Sequence, residues 1–175
     1  MSLLQLFCCA DFSNRGPLWM PNPEKVNNTG KMFGLPLTVT VAQSNHVHGP
    51  VTAELKITNN TLQRTLFMYS DFNDSGNGLA MWLLLDGKPV ALSEFGEEAT
   101  SRYSEGFRDA GGPMESVMAG ESKTVRVDLA KLFTIRWPGT YTFIVEEGPR
   151  PLHERAEIQE QCAAKTTFTL LPSNN

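Results

Sequence analysis

The residues best equipped for chemistry fall into small groups. His46 and His48 stand two apart in Asn45-His46-Val47-His48-Gly49. On an extended strand, side chains at that spacing leave the same face. The pair could then ligate a metal ion, with His153 or a carboxylate as third ligand. The plainer reading of the same five residues is a polar hairpin loop. Asp71-Phe72-Asn73-Asp74-Ser75-Gly76-Asn77-Gly78 sets oxygen donors at alternate positions with glycine at the sixth, as a calcium loop begins. Its twelfth position is Trp82, where a bidentate carboxylate is required. The EF-hand pattern therefore fails, and an Asn/Asp/Gly turn between strands is the expectation. No Gly-x-Ser-x-Gly, phosphate-cradling glycine loop or dinucleotide fingerprint occurs, so neither a catalytic apparatus nor a cofactor is expected.

The segment 93–112 holds five acidic residues, two arginines and four glycines. It reads as a long loop, a kind of segment that is uncommon in a compact domain unless it has a function. Its acidic members Glu94, Glu97, Glu98, Glu105 and Asp109 could pair for acid–base work, but no pocket-forming pattern surrounds them, and a solvated loop is the plainer reading. Phe95, Tyr103 and Phe107 in the same loop suit a contact surface or fold back onto the domain. Arg150, in Arg150-Pro151-Leu152, joins them as a candidate binding residue in the polar stretch 147–164.

The 175 residues suit one domain. Hydrophobic residues make up 41%, enough for a core, and the net charge is −4 with lysine and arginine scattered. A nucleic-acid binder would carry a basic stripe, so nucleic acid is not an expected partner. No apolar run approaches the ~18–20 residues of a membrane span. Leu3 to Ala10 is a short apolar run ending in small residues. As the tail of a secretory signal it would be cleaved after Ala10 and the protein would be extracytoplasmic; as an ordinary start it leaves the protein cytoplasmic. It has no basic segment and is shorter than a full signal. Cys8, Cys9 and Cys162 do not make a disulfide framework, and free thiols are expected. A bridge from Cys8 or Cys9 to Cys162 would require an oxidising compartment. Glycosylation sequons stand at Asn27, Asn59 and Asn73.

The elements that must position these residues are strands. Residues 1–30 read as an irregular N-terminal segment, broken by Pro17, Pro21 and Pro23. Leu35, Leu37, Val39 and Val41 alternate with polar or small positions, as do Val51, Ala53, Leu55 and Ile57. Thr65 to Ser70 is a short β-rich run. Leu79 to Leu85 is almost wholly apolar, and pattern alone does not separate helix from strand. Asp86-Gly87 decides for strand, because that pair makes a tight hairpin turn; Val90 to Leu92 is the expected return. Met114 to Val117, then Val125 to Leu129, then a helical turn at Ala130 to Phe133, then Tyr141 to Val145, then Lys165 to Leu171 complete the series. About eight short strands with little helix exclude a parallel sheet, which needs crossover helices. The fold class is all-β: an antiparallel two-sheet sandwich over residues 31–172, interrupted by the loop 93–112.

The stretch Met118 to Glu146 resembles a known family. It has a Gly120-Glu121-Ser122 turn, a strand ending in Asp128-Leu129, a Leu132-Phe133 turn and then Pro138-Gly139-Thr140-Tyr141-Thr142. This is similar to the immunoglobulin-like β-sandwich domain that precedes the catalytic domain of deuterolysin-type and peptidyl-Lys metallopeptidases. The resemblance implies an immunoglobulin-like sandwich in which Gly120 and Gly139 serve turns and Tyr141 closes a corner. It implies no activity. The peptidases use a His-Glu-x-x-His zinc helix in a following domain; here the His153-Glu154 pair is followed by Glu157 where the second histidine belongs. A fainter resemblance is to chagasin-type cysteine-protease inhibitors, small immunoglobulin-like domains that plug an active site with loops. Asn27-Asn28-Thr29-Gly30, Ala110-Gly111-Gly112 and Arg150-Pro151-Leu152 are degraded versions of their loop words. The reading is therefore a non-catalytic binding or accessory sandwich that contacts a protein partner through 93–112 and 147–164. A loop-based protease inhibitor and a metal-binding or hydrolytic protein are the alternatives.

Overall fold

The structure is a computed structural model, and it describes residues 20–32, 34–42, 44–62, 66–69, 79–98, 114–147 and 162–173. One sheet contains β1 (Thr29–Met32), β2 (Leu35–Val41), β4 (Thr52–Thr58) and β9 (Ser122–Asp128), antiparallel in the order β1-β2-β4-β9. The second contains β3 (Ser44–His46), β6 (Leu79–Leu85), β7 (Lys88–Pro89), β10 (Gly139–Glu147) and β11 (Ala164–Leu171), in the order β3-β11-β10-β6-β7. Its pairings are antiparallel except β3 with β11, which is parallel. β5 (Leu66–Tyr69) and β8 (Met114–Val117) form a separate antiparallel ribbon. A helical stretch, α1, covers 94–98, and α2 is Leu129–Leu132.

The order β2-β4-β9 against β11-β10-β6 is that of strands A-B-E and G-F-C in the immunoglobulin sandwich. The fold class read from the sequence is the one observed. The core lies between the sheets. Leu37, Val39, Leu55, Ile57, Val125 and Val127 reach it from the first sheet, and Leu83, Tyr141, Phe143, Val145, Phe168 and Leu170 from the second. Each is no more than 6% exposed, so each such side chain contributes roughly 1.5–3 kcal/mol by leaving water. Tyr141 and Phe168 face each other across β10 and β11 and their rings stack at 5.6 Å.

Tyr141 also closes a corner, as the resemblance implied. Its hydroxyl donates to the Trp137 carbonyl at 2.7 Å, four residues upstream, the geometry of the tyrosine corner that begins strand F in immunoglobulin folds. The β6–β7 hairpin forms as expected. Asp86 (φ 48°) and Gly87 (φ 79°) are both left-handed, the requirement of a type I′ turn. The return strand differs from the expected Val90 to Leu92. β7 ends at Pro89, one further bond runs from Val90 N–H to the Leu83 carbonyl, and Leu92 then bridges to Phe133. The chain thus leaves the sheet edge and crosses to the β9–β10 connection. α2 starts at Leu129, where Asp128 Oδ1 accepts from the amides of Ala130 and Lys131 at 3.0 and 3.2 Å.

The described residues add detail to two parts of the segmentation. First, order begins before residue 31. Residues 20–28 dock on the outer face of the second sheet, where Val26 is buried with Trp82, Leu84, Ile144 and Ala163 and Met20 packs beside them. The Asn27 carbonyl accepts from Lys165 N–H at 2.9 Å, and Lys165 Nζ reaches the Pro23 carbonyl at 2.5 Å. β1 follows at once. Gly30 lies so close to the backbone of Cys162 and Ala163 that any Cβ would collide with it. This clamp also explains the β6 sequence: a strand covered on both faces has no polar side. Second, the segment 93–112 does not open as a loop. Ser93 Oγ accepts from Gly96 N–H at 3.0 Å and its own carbonyl accepts from Glu97 N–H at 2.8 Å, starting α1. Ser93 N–H donates to the Leu132 carbonyl and its hydroxyl to the Lys131 carbonyl, which fastens α1 to α2. Residues 99–113 lie outside the described residues.

Candidate functional site

The histidine pair does not sit on one extended face. β3 ends at His46, Val47 turns inward and is buried, and His48 is left-handed (φ 68°) and exposed. His46 Nδ1 lies 2.9 Å from the Pro172 carbonyl. Since a carbonyl only accepts, that nitrogen carries the hydrogen in this contact. Among the described residues, no three His, Cys, Asp or Glu side chains converge to hold a metal ion.

Phe95 folds back. It is half-buried in α1 against the core, and Lys131 Nζ stands 4.1 Å from its ring centroid, covering its outer face. Glu94, Glu97 and Glu98 are exposed on the same helix. Tyr103, Phe107, Arg150, His153 and the Asp71–Gly78 turn lie outside the described residues. The first of the inhibitor-like words, Asn27 to Gly30, runs into β1: Asn27, Asn28 and Thr29 are exposed and Gly30 is buried. The sequon at Asn59 is also buried. Asn59 is 0% exposed; its amide donates to the Val117 carbonyl at 2.8 Å, and its oxygen accepts from Thr61 N–H at 3.0 Å and Thr61 Oγ1 at 2.7 Å. It ties β4 to β8 and leaves no room for a glycan. Cys162 carries a free thiol.

The structure forms a surface depression that sequence reasoning missed. It has a volume of about 360 Å3 and lies where the β6–β7 hairpin meets the β9–β10 connection. Leu85 and Tyr141 lie at its inner side, Val90 and Thr134 at one wall, and Asp86, Lys88, Arg136 and Trp137 at its exposed rim. Thr134 is fixed there by its amide on the Ala91 carbonyl and its hydroxyl on the Leu92 carbonyl. Trp137 is held at its backbone by the Tyr141 hydroxyl, while the residue is 67% exposed. One sequence signal pointed here: Trp137 sits in a Trp-Pro-Gly turn rather than at an alternating strand position, so it has no core slot waiting for it.

The rim is electrostatically mixed, with two cations and one carboxylate. Burial pushes the Tyr141 phenol above its usual 10.0, and the nearby negative charge of Asp86 adds to the shift. The hydroxyl is therefore neutral at ordinary pH and free to donate to Trp137. The depression offers stacking surface on the indole, cationic contacts from Lys88 and Arg136, and an acceptor in Asp86.

No family model matches the chain, and no curated protein matches it. Among solved structures, it is similar to the CARDB domain of the PF1109 protein from Pyrococcus furiosus, crystallised in complex with di-metal ions. The two share 9% identity with a TM-score of 0.38, over 78% of this chain and 92% of that one. Neither comparison by sequence links the chain to the deuterolysin-type peptidases.

Proposed function

We propose that this protein is a non-catalytic β-sandwich that acts by contact with a protein partner, and that the contact centres on the depression beside Trp137. The observation that supports this most is the exposure of Trp137, 67% in a residue whose backbone is pinned to the fold. Tryptophan and arginine are the residue types that most often dominate binding energy at protein interfaces, and here Arg136 and Trp137 are adjacent on the rim. The backbone that carries the indole is already tied to the fold, so that part of the ordering cost of docking is met in advance. The depression has no paired acid and base and no nucleophile beside a base, the arrangements that hydrolytic chemistry requires.

The test is site-specific photocrosslinking in native extract. A benzophenone amino acid is placed at position 137 and, as a control, at Lys56 on the exposed side of β4. A discrete adduct is expected from 137 and none from 56. Equal labelling at the two positions, or no adduct from 137, contradicts the proposal.

A further inference from the structure

We infer that the depression receives an acidic segment of the partner protein, seating one carboxylate between Lys88 and Arg136 with an apolar neighbour on the Trp137 indole. This rests on the reading of the depression as a protein contact and adds the chemistry of what enters it. Size is the first argument. At about 360 Å3 the depression is near the lower end of ligand pockets, so it suits one or two side chains rather than a large cofactor.

Charge is the second argument. Arg126 is paired with Glu54 at 3.0 Å, Lys131 covers Phe95 and Lys165 is bound to the Pro23 carbonyl. Lys88 and Arg136, like Lys31 and Lys56, have no ion-pair partner among the described residues, but they are the two that line one depression. With Asp86 on the same rim, the two cations leave the depression with a small excess of positive charge on a chain whose net charge is −4. A partner carboxylate is drawn to that spot, while the charge of the whole chain opposes acidic contacts elsewhere. A guanidinium also binds a carboxylate through two parallel hydrogen bonds. Asp86, in the same hairpin turn as Lys88, disfavours a second carboxylate and can accept from the partner's backbone N–H.

Edge geometry is the third argument. β7 is the last strand of its sheet and its second residue is Pro89, which has no N–H to donate. Strand addition along that edge is therefore blocked, and recognition falls to side chains around the depression.

The experiment is selection of displayed random short peptides on the full chain, followed by affinity measurement of the selected peptides. Four proteins are compared: the native chain, Trp137→Ala, the double charge reversal Lys88→Glu/Arg136→Glu, and Lys56→Glu as a remote control. Circular dichroism confirms that each is folded. The native chain and the control are expected to select peptides with Asp or Glu beside an apolar residue. The double reversal is expected to weaken these roughly tenfold and to shift selection toward Lys and Arg. Raising the salt concentration should weaken native binding as well. Peptides that need Trp137 but show no acidic preference overturn this inference and leave the protein-contact reading standing. Peptides that bind Trp137→Ala as well as the native chain overturn both, as does the absence of any selected peptide.

Discussion

At the scale of single residues, the polar groups inside this protein act as ties. The Tyr141 hydroxyl joins the start of β10 to the turn before it. Tyr141→Phe removes one hydrogen bond while keeping the ring stack on Phe168, so a loss of about 1 kcal/mol in urea unfolding is expected. The phenol adds a pH signature. Its folded-state pKa is raised above 10.0, so its contribution to stability is complete below the unfolded value near 10 and is lost as pH rises through the folded value. Unfolding measured on either side of pH 10 should show stability falling in the native protein, with a smaller fall in Tyr141→Phe; identical profiles would contradict the assignment. Asn59 is a stronger tie, a fully buried residue whose side chain bonds the Val117 carbonyl and both donors of Thr61. Asn59→Ala strands the buried Val117 carbonyl, and should cost about 1–3 kcal/mol by the same assay. Tyr141 was legible in the sequence because its corner comes with a local Pro-Gly-Thr-Tyr pattern. Asn59 was not: its partner Val117 is distant in sequence, and the Asn-Asn-Thr word reads equally as a turn or a sequon.

At the scale of elements, legibility followed burial. β2, β4 and β9 bury one face each and alternate accordingly, so their sequences name them. The apolar run of β6 needed the Asp86-Gly87 turn to be read as strand, and the structure supplies the physical reason: Val26 and Met20 cover the face that would otherwise be polar. β1 and β3 were invisible because short strands take their identity from partners far along the chain. β1 depends on β2 and on the close passage of Gly30 past Cys162 and Ala163, and β3 on parallel pairing with β11. α1 was hidden by its glycine and acidic composition, and is formed by Ser93 and the packing of Phe95 rather than by helix propensity. The N-terminal clamp can be tested at Gly30. Gly30→Val puts branched carbon into backbone, and overpacking of this kind costs typically 1–3 kcal/mol. Hydrogen exchange should then speed up selectively at the Lys165 amide, which Asn27 protects. An unchanged Lys165 amide would show that residues 20–32 do not clamp the sheet.

At the scale of the whole molecule, the division is between a core that spans both sheets and a rim that contributes nothing to it. Phe143 is 0% exposed at the centre of the core, and Phe143→Ala should cost about 3–5 kcal/mol. Trp137 and Arg136 lie outside that accounting, and this is why the depression escaped sequence reasoning. Its two halves, 85–91 and 134–141, are brought together by the pairing of β6 with β10, by the crossing of the chain from Leu92 to Phe133 and by the bond from Thr134 N–H to the Ala91 carbonyl. Nothing local in either half marks them as neighbours. Folding and function separate at one residue, so Trp137→Ala is the most direct test, with unfolding free energy and partner binding measured on the same preparation. Stability should stay within about 0.5 kcal/mol of the native chain, while binding of the partner crosslinked from position 137 falls at least roughly tenfold. Native binding by a folded Trp137→Ala protein would contradict the account.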